Sequence, residues 1–357
     1  MEPSERWDLD SFCRRIPKVE LHCHLEGAVR PSTLAELARA NGIDLPVTTP
    51  DELYRYDDLE GFLEIFELVC RTLVRRSDFT RVVYESLEEA VRSGNLRYRE
   101  LFFDPTLHTR YGVSYRDVLD GLLEGIRAAE SDFGVRTRLI PAVYRQDAVQ
   151  TAARMLEEIV AERRDEVIGI GMDGDELTAP PEKFADVFRA AAKAGLRRTA
   201  HAGHDAAPSS VTTSLDLLGC ERIDHGYHVL DDPAVVTRVR DRRVPFTTSL
   251  GCPPLCGWPA ELERTPIKRM IDEGLWVSIN TDDPTMLHTD LGTEYVRFCS
   301  TFGYGAREAR DLALSALEMA WLDDDEMRSM RAAFEREIDE LERELSDASP
   351  APPVDVS

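Results

Sequence analysis

VELHCH, residues 19–24, is a short β-type run that ends in two imidazoles. Alternate residues of a strand face the same side, so His22 and His24 address one place. The same ending recurs down the chain. Run 198–201 stops at His201, run 222–225 stops at His225, and run 276–280 leads into Asp282 and Asp283. Further β-type runs at 99–103, 136–143, 167–172 and 245–249 bring the total to eight. Between most of them lie stretches with apolar residues at i, i+3 and i+4, at 115–130, 148–161, 181–194 and 266–273. Strands alternating with helices read as parallel βαβ units, and eight of them in one domain predict a closed (β/α)8 TIM barrel in the α/β class. The active site of such a barrel lies at the C-terminal ends of its strands. Three imidazoles and a carboxylate gathered there form a zinc-type ligand set, which also suits other first-row divalent metals.

The interval between the first two strands is long. Helical segments at 31–40, 59–74 and 79–93 predict an insertion that can lid the barrel mouth. Helices near 291–302, 306–322 and 324–345 follow the eighth strand. No repeat or linker divides the chain, so residues 1–345 read as one domain. Residues 346–357, rich in Pro, Ala and Asp, read as a disordered tail.

Bulk properties narrow the partners. The 357 residues carry a formal charge of −24, spread along the whole chain. Such a surface repels phosphate backbones and anionic lipid heads, so the expected partner is a small-molecule substrate, with no nucleic acid and no membrane. Assembly into a homo-oligomer is left open. The N-terminus lacks an apolar signal region, no run reaches transmembrane length, and the seven cysteines are irregularly spaced. A cytoplasmic protein with reduced thiols is expected. Cys252 and Cys256 form a C-x3-C with no second pair, a weak zinc signal.

Five stretches, PKVELHCHLEGAVRP, MDGDE, TAHAGH, RIDHG and SINTDDP, resemble in order and spacing the motifs of the adenosine/adenine deaminase family of the amidohydrolase superfamily. RELFFDPTLHTRYG is similar to the bacterial adenine deaminase and adenosine-deaminase-like branches. The resemblance implies that His22, His24, His201 and Asp282 hold one Zn2+, which lowers the pKa of a water from about 15.7 towards 7. It implies that Asp282 or His225 orients this water and that His225 stabilises the oxygen developing at the attacked carbon. Asp283 would bond a ring nitrogen, and Gly174, lacking a Cβ, would let the backbone approach the substrate. Glu26 matches a position that contacts the sugar in nucleoside-using members and helps close the pocket in base-using ones. The implied reaction is hydrolytic loss of an exocyclic amine, as ammonia, from an aminopurine base or nucleoside of the adenosine or adenine type, or from a modified analogue.

Two features depart from the family pattern. The motif after the fifth strand ends in glutamate in the family and in His204 here. That glutamate shuttles protons, a contribution of typically about 10² to 10⁴ in rate. His204 can take over the shuttle, assisted by Asp205 or Glu176. Alternatively, the enzyme is repurposed for a modified nucleoside or a non-purine heterocycle that needs no such proton, or it is a weakened member that binds a ligand. The loop after the seventh strand carries Cys252-Pro-Pro-Leu-Cys256 where family members of this branch have a Ser-Asn pair. His228 reads as a loop residue, His108 and His288 as structural ones.

Overall fold

The computed structural model describes residues 9–47, 49 and 52–348. Eight parallel strands follow one another in chain order: β1 Lys18–His24, β2 Leu96–Phe103, β3 Arg136–Tyr144, β4 Gly169–Asp173, β5 Arg197–Ala202, β6 Arg222–His225, β7 Pro245–Ser249 and β8 Trp276–Asn280. The ring closes between the last strand and the first. Cys23 bridges Asp282, with His24 N donating to Asp282 O at 2.7 Å and Asp282 N to His22 O at 3.0 Å. The fold is the predicted (β/α)8 barrel.

One irregularity in β1 matters for the site. Glu20 pairs with Arg99 and Cys23 with Leu101, so β1 holds one more residue than β2 over that interval. A bulge of this kind re-aims side chains. Glu20 meets Arg99 in a buried ion pair of 2.5 Å and also accepts from the backbone N of Thr281, so the residue before Asp282 is fixed from β1. At the opposite end, Arg222 pairs with Glu100 at 2.6 Å and lies 4.2 Å from the Trp321 ring centre. A buried charge stripped of its partner is costly, so this pair closes the barrel floor as a unit.

Helix Leu59–Thr72 comes from the insertion after β1. It starts at Asp58, whose carboxylate accepts from Gly61 N, and it buries Phe62, Phe66, Val69 and Cys70. Leu59, Phe62, Leu63 and Phe66 recur at helical spacing and line a cavity at the C-terminal end of the barrel. The last helix, Asp324–Ala348, runs three residues beyond the boundary expected at 345; residues 349–357 of the expected tail lie outside the described residues. Among the described residues, no helix is long and apolar enough to cross a membrane.

Candidate active site

The strand ends converge. His22 Nε2 lies 2.9 Å and His24 Nε2 3.3 Å from the same Asp282 oxygen, Oδ1. His201 Nε2 lies 3.3 Å from His24 Nε2. His22, His201, His225 and Asp282 each bring a ligand atom within 4.8 Å of the other three. All these side chains are buried. His22 Nε2 and Asp282 Oδ1 have no hydrogen-bond partner, although water is excluded from both. Buried polar atoms left so are rare unless something else pairs them, and a divalent cation fits this need.

The rear nitrogens support the same reading. His22 Nδ1 lies 3.3 Å from the Thr247 carbonyl, His24 Nδ1 3.6 Å from Asp173 Oδ2, and His201 Nδ1 3.5 Å from Asp224 Oδ2. At His22 the acceptor behind one nitrogen places the proton there and turns the lone pair of the other forward; Asp173 and Asp224 stand behind His24 and His201 without a hydrogen bond to them. Asp224 is held well below the usual carboxylate range despite its burial, because His201 and His22 face it. Asp282 has φ +64 and His225 φ +67, values that non-glycine residues rarely adopt. Backbone strain of this kind gathers at functional sites.

His225 donates from Nδ1 towards the Tyr227 hydroxyl at 3.3 Å, which leaves Nε2 free, 3.8 Å from Asp282 Oδ2. Burial and the neighbouring imidazoles keep its pKa well below the ordinary value, so the ring is neutral. Asp283 also faces the cavity, and its Oδ1 has no partner. Burial and the Asp282 charge push its pKa well up. Gly174 lines the cavity at φ +86; a Cβ there would lie 2.1 Å from Gln146 Oε1.

Glu26 stands apart from the other expected site residues. It is fully buried but absent from the cavity wall. Its Oε1 accepts from His108 Nε2 at 2.8 Å and from Asp104 N at 3.0 Å. Its Oε1 thereby props the loop after β2, with His108 as its partner, while its Oε2 has no hydrogen-bond partner.

Sequence reasoning passed over Gly27. A Cβ on it would lie 1.9 Å from Asp283 Oδ1 and 2.4 Å from Asp283 Cβ. Gly27→Ala is expected to displace Asp283 and raise KM for the substrate about tenfold or more, with metal content unchanged. Steady-state kinetics beside metal analysis checks this; an unchanged KM would remove Asp283 from the substrate wall.

Glu176 has a different task from the one expected of it. Its two oxygens accept from His204 N and Gly203 N, both at 2.9 Å, and Ser210 donates at 2.8 Å. A carboxylate so engaged anchors the loop and does not assist a proton shuttle. Its pKa is lowered although burial opposes this, chiefly through the Arg145 charge and these bonds. The folded value lies below the unfolded value of about 4.3, so the stabilisation is present above that pH and is lost as pH falls through the folded value. Glu176→Gln leaves at least one buried N–H without its acceptor and is expected to cost about 2 kcal/mol at pH 7. In denaturant titrations the gap from wild type should close below about pH 4; a gap of the same size at pH 7 and pH 3 would refute the anchoring role of the charge.

His204 lies under the loop after β7. Its ring stacks on His225, with centroids 3.9 Å apart and planes 16° apart. Burial lowers its pKa to about 4, so the imidazole is neutral at pH 7. Asp205, partly buried, is raised to about 6. His228 bonds Asp231 on the outer side of its turn and does not line the cavity.

The adenosine deaminase family description matches residues 17–337. The chain is 36% identical over 344 residues to an adenine deaminase of Geotalea uraniireducens, covering 94% of each protein. It is 36% identical to one of Streptomyces coelicolor, covering 91% of this chain and 95% of the relative. Among solved structures, an adenine deaminase from Arthrobacter aurescens superposes with a TM-score of 0.86 at 32% identity, covering 92% and 99% of the two chains. A zinc-bound amidohydrolase from Burkholderia ambifaria superposes at 0.89 with 35% identity, covering 97% of each. Match and barrel run through the same residues, and the chain belongs to the adenosine deaminase family.

Proposed function

We propose that this chain is a metal-dependent hydrolytic deaminase that removes the exocyclic amine of adenine, or of a close aminopurine analogue, as ammonia. The observation that carries this is the convergence of His22, His24, His201 and Asp282 beneath a cavity that Asp283 also lines. The three-nitrogen, one-carboxylate set and the zinc-bound relative support zinc as the metal. His22, His24, His201 and Asp282 would hold it, and it would supply a water acidified towards a pKa near 7.

The chain's own groups supply the rest. Asp283 bonds a ring nitrogen, and Gly174 admits the ring edge to the backbone. His225 Nε2, held in its tautomer by Tyr227, accepts a proton. The apolar roof of Leu59, Phe62, Leu63 and Phe66 shields the ring from bulk water. Two observations favour the free base over the nucleoside. The relatives at 36% identity are adenine deaminases. One carboxylate oxygen of Glu26, the residue expected to meet a sugar, is engaged by His108 and Asp104.

A second reading, a modified or non-purine heterocycle, is favoured by one observation. His204 is neutral and abuts Cys256 where the family has an acid. Ammonia release from zinc-loaded protein, across adenine, adenosine, deoxyadenosine and N6- or ring-modified bases, tests both. Turnover of adenine with kcat/KM well above that of adenosine is expected. Turnover of a modified heterocycle alone would select the second reading, and no release from any of them would defeat the deaminase assignment.

A further inference from the structure

The ring of strands has one loosened seam. β3 pairs with β4 as far as Tyr144 and Asp173, and β5 pairs with β6 as far as Ala202 and His225. Between them, β4 pairs with β5 only at Gly169 with Arg197 and at Ile170 with Arg198. Continued in that register, Asp173 would face His201. The rungs are therefore missing where the seam reaches the C-terminal end of the barrel. His201 is one of the proposed ligands there, and Asp173 Oδ2 stands 3.6 Å behind His24 Nδ1. Buried backbone carbonyls without partners are rare, so another donor has to meet those freed along this seam.

Arg145 is that donor. It directly follows β3, and it is only 1% exposed. Its Nε donates to Asp173 O at 3.1 Å, one terminal nitrogen to His201 O at 2.5 Å and the other to Ala179 O at 3.4 Å. Its backbone N donates to Asp173 O as well, at 3.1 Å. All three side-chain bonds go to carbonyls. The Glu176, Asp173, Asp205 and Asp175 charges favour the cation through space, against the burial that opposes it. A guanidinium suits this place, because its planar fork aims fixed donors at acceptors on two strands at once. Glu176 closes the next step of the same seam, reaching from the loop after β4 to Gly203 N and His204 N after β5. Arg145 does not line the cavity, so it acts on the site through the residues it holds.

We propose that Arg145 is a positioning residue of the metal site: its guanidinium fork replaces the missing rungs between β4 and β5 and holds His201 at its spacing from the His24–Asp173 pair. One side chain fixes the Asp173 and His201 carbonyls relative to each other. Two imidazoles follow from that, since His201 Nε2 lies 3.3 Å from His24 Nε2.

The inference rests on the reading of His22, His24, His201 and Asp282 as the metal site, and the experiment separates the two. The full chain is stripped by chelation and titrated with Co²⁺, whose visible d–d bands respond to the angles between its ligands. Affinity is read by chelator competition and folding by thermal unfolding. Arg145→Lys keeps the charge but gathers its donors at one point; Arg145→Gln loses both charge and reach. Partners that orient metal ligands are typically worth about 10- to 100-fold in affinity. Arg145→Lys is therefore expected to weaken Co²⁺ binding about tenfold and Arg145→Gln towards a hundredfold, each with altered d–d bands. Variants that melt earlier yet bind Co²⁺ with wild-type affinity and bands would confine Arg145 to stability and overturn the proposal. Wild-type affinity in Arg145→Lys alone would also overturn it, because the charge would then suffice without the fork. Variants that fold only with metal are compared by their bands in the loaded state, on the same terms. If neither folds, the structure of the zinc-loaded wild type decides: a guanidinium bonded to both carbonyls, with His201 on the metal, supports the proposal, and one withdrawn from either carbonyl overturns it. A wild type that binds no Co²⁺, or a His201→Ala variant that binds it undiminished, defeats the reading of the metal site itself, and the inference with it.

Discussion

Asp282→Asn is expected to empty the metal site and lower adenine deamination by about 10⁴, since the acidification of water from about 15.7 to about 7 goes with the metal. The carboxylate is the only anionic donor of the four, and its Oδ1 is the atom on which His22 Nε2 and His24 Nε2 converge at 2.9 and 3.3 Å. Three neutral imidazoles are left to hold a dication at a deeply buried point, without the charge that offsets its dehydration. Asparagine is the informative replacement. Asp282 has φ +64, a conformation asparagine tolerates and alanine resists, so the loop that closes β8 onto β1 is preserved. His22→Ala, on the opposite side of the same oxygen, is expected to give a comparable loss. The checks are metal content per folded chain and kcat/KM for adenine. An Asp282→Asn protein that keeps its metal and most of its activity would sink the ligand assignment.

The barrel was legible because its strands are short, rich in apolar and β-branched residues and evenly spaced. Expected and observed bounds coincide for β6, β7 and β8. β4 was less readable: expected from Val167, it begins at Gly169, and Val167 makes only an isolated bridge to Leu139. Gly169 and Gly171 explain why. A Cβ on either would lie 2.7 or 2.6 Å from the rings of Trp321 or Phe102, so packing demands glycine where strand propensity disfavours it. Helices Pro105–Thr109, Pro208–Thr213 and Pro233–Asp241 went unseen. Each opens with proline at its first position, where the missing N–H costs nothing, but each is too short to show a period.

The residues proposed to hold the metal stood out because strand ends are few and His is scarce. Their supports did not. Asp173 and Asp224 lie within or beside motifs already singled out, but a carboxylate behind an imidazole has no sequence spacing of its own; it is set by which strands neighbour each other. Asp224 reaches His201 because β5 and β6 pair with His201 opposite Asp224. Cys252 and Cys256 show the same limit more sharply. Thirty residues separate Cys252 from Asp282, and fifty-two separate Cys256 from His204. A C-x3-C alone is weak, and only closure of the barrel brings it to the site. Glu26 shows the limit from the other side: its motif suggested a sugar contact or a role in closing the pocket, and its partner His108 lies 82 residues away, on a helix the sequence did not reveal.

His204→Glu is expected to raise kcat/KM for adenine at pH 7 by at least about tenfold, the lower part of the gain a placed general acid gives. Wild-type His204, with a pKa of about 4, is a neutral imidazole across the assay range and cannot donate a proton with any driving force. Glutamate in the same buried place behaves oppositely, because burial disfavours its charged form and raises its pKa. The Glu176 carboxylate, bonded to the backbone of the same residue, adds to that rise. The new side chain would therefore be protonated near neutrality and able to donate to a ring nitrogen. The sign of the pH dependence follows. Activity that needs the protonated acid falls as pH rises through its raised pKa, so the variant's profile gains a descending alkaline limb that wild type lacks, His204 having no titration there. Profiles of kcat/KM from pH 5 to 9 on metal-loaded proteins of equal metal content make the comparison. A tenfold gain with the new limb would mean that the pocket still admits adenine and that position 204 limits its chemistry. No gain at equal metal content would mean that the walls around Cys256 and Leu255, not the proton donor, have moved this member away from adenine.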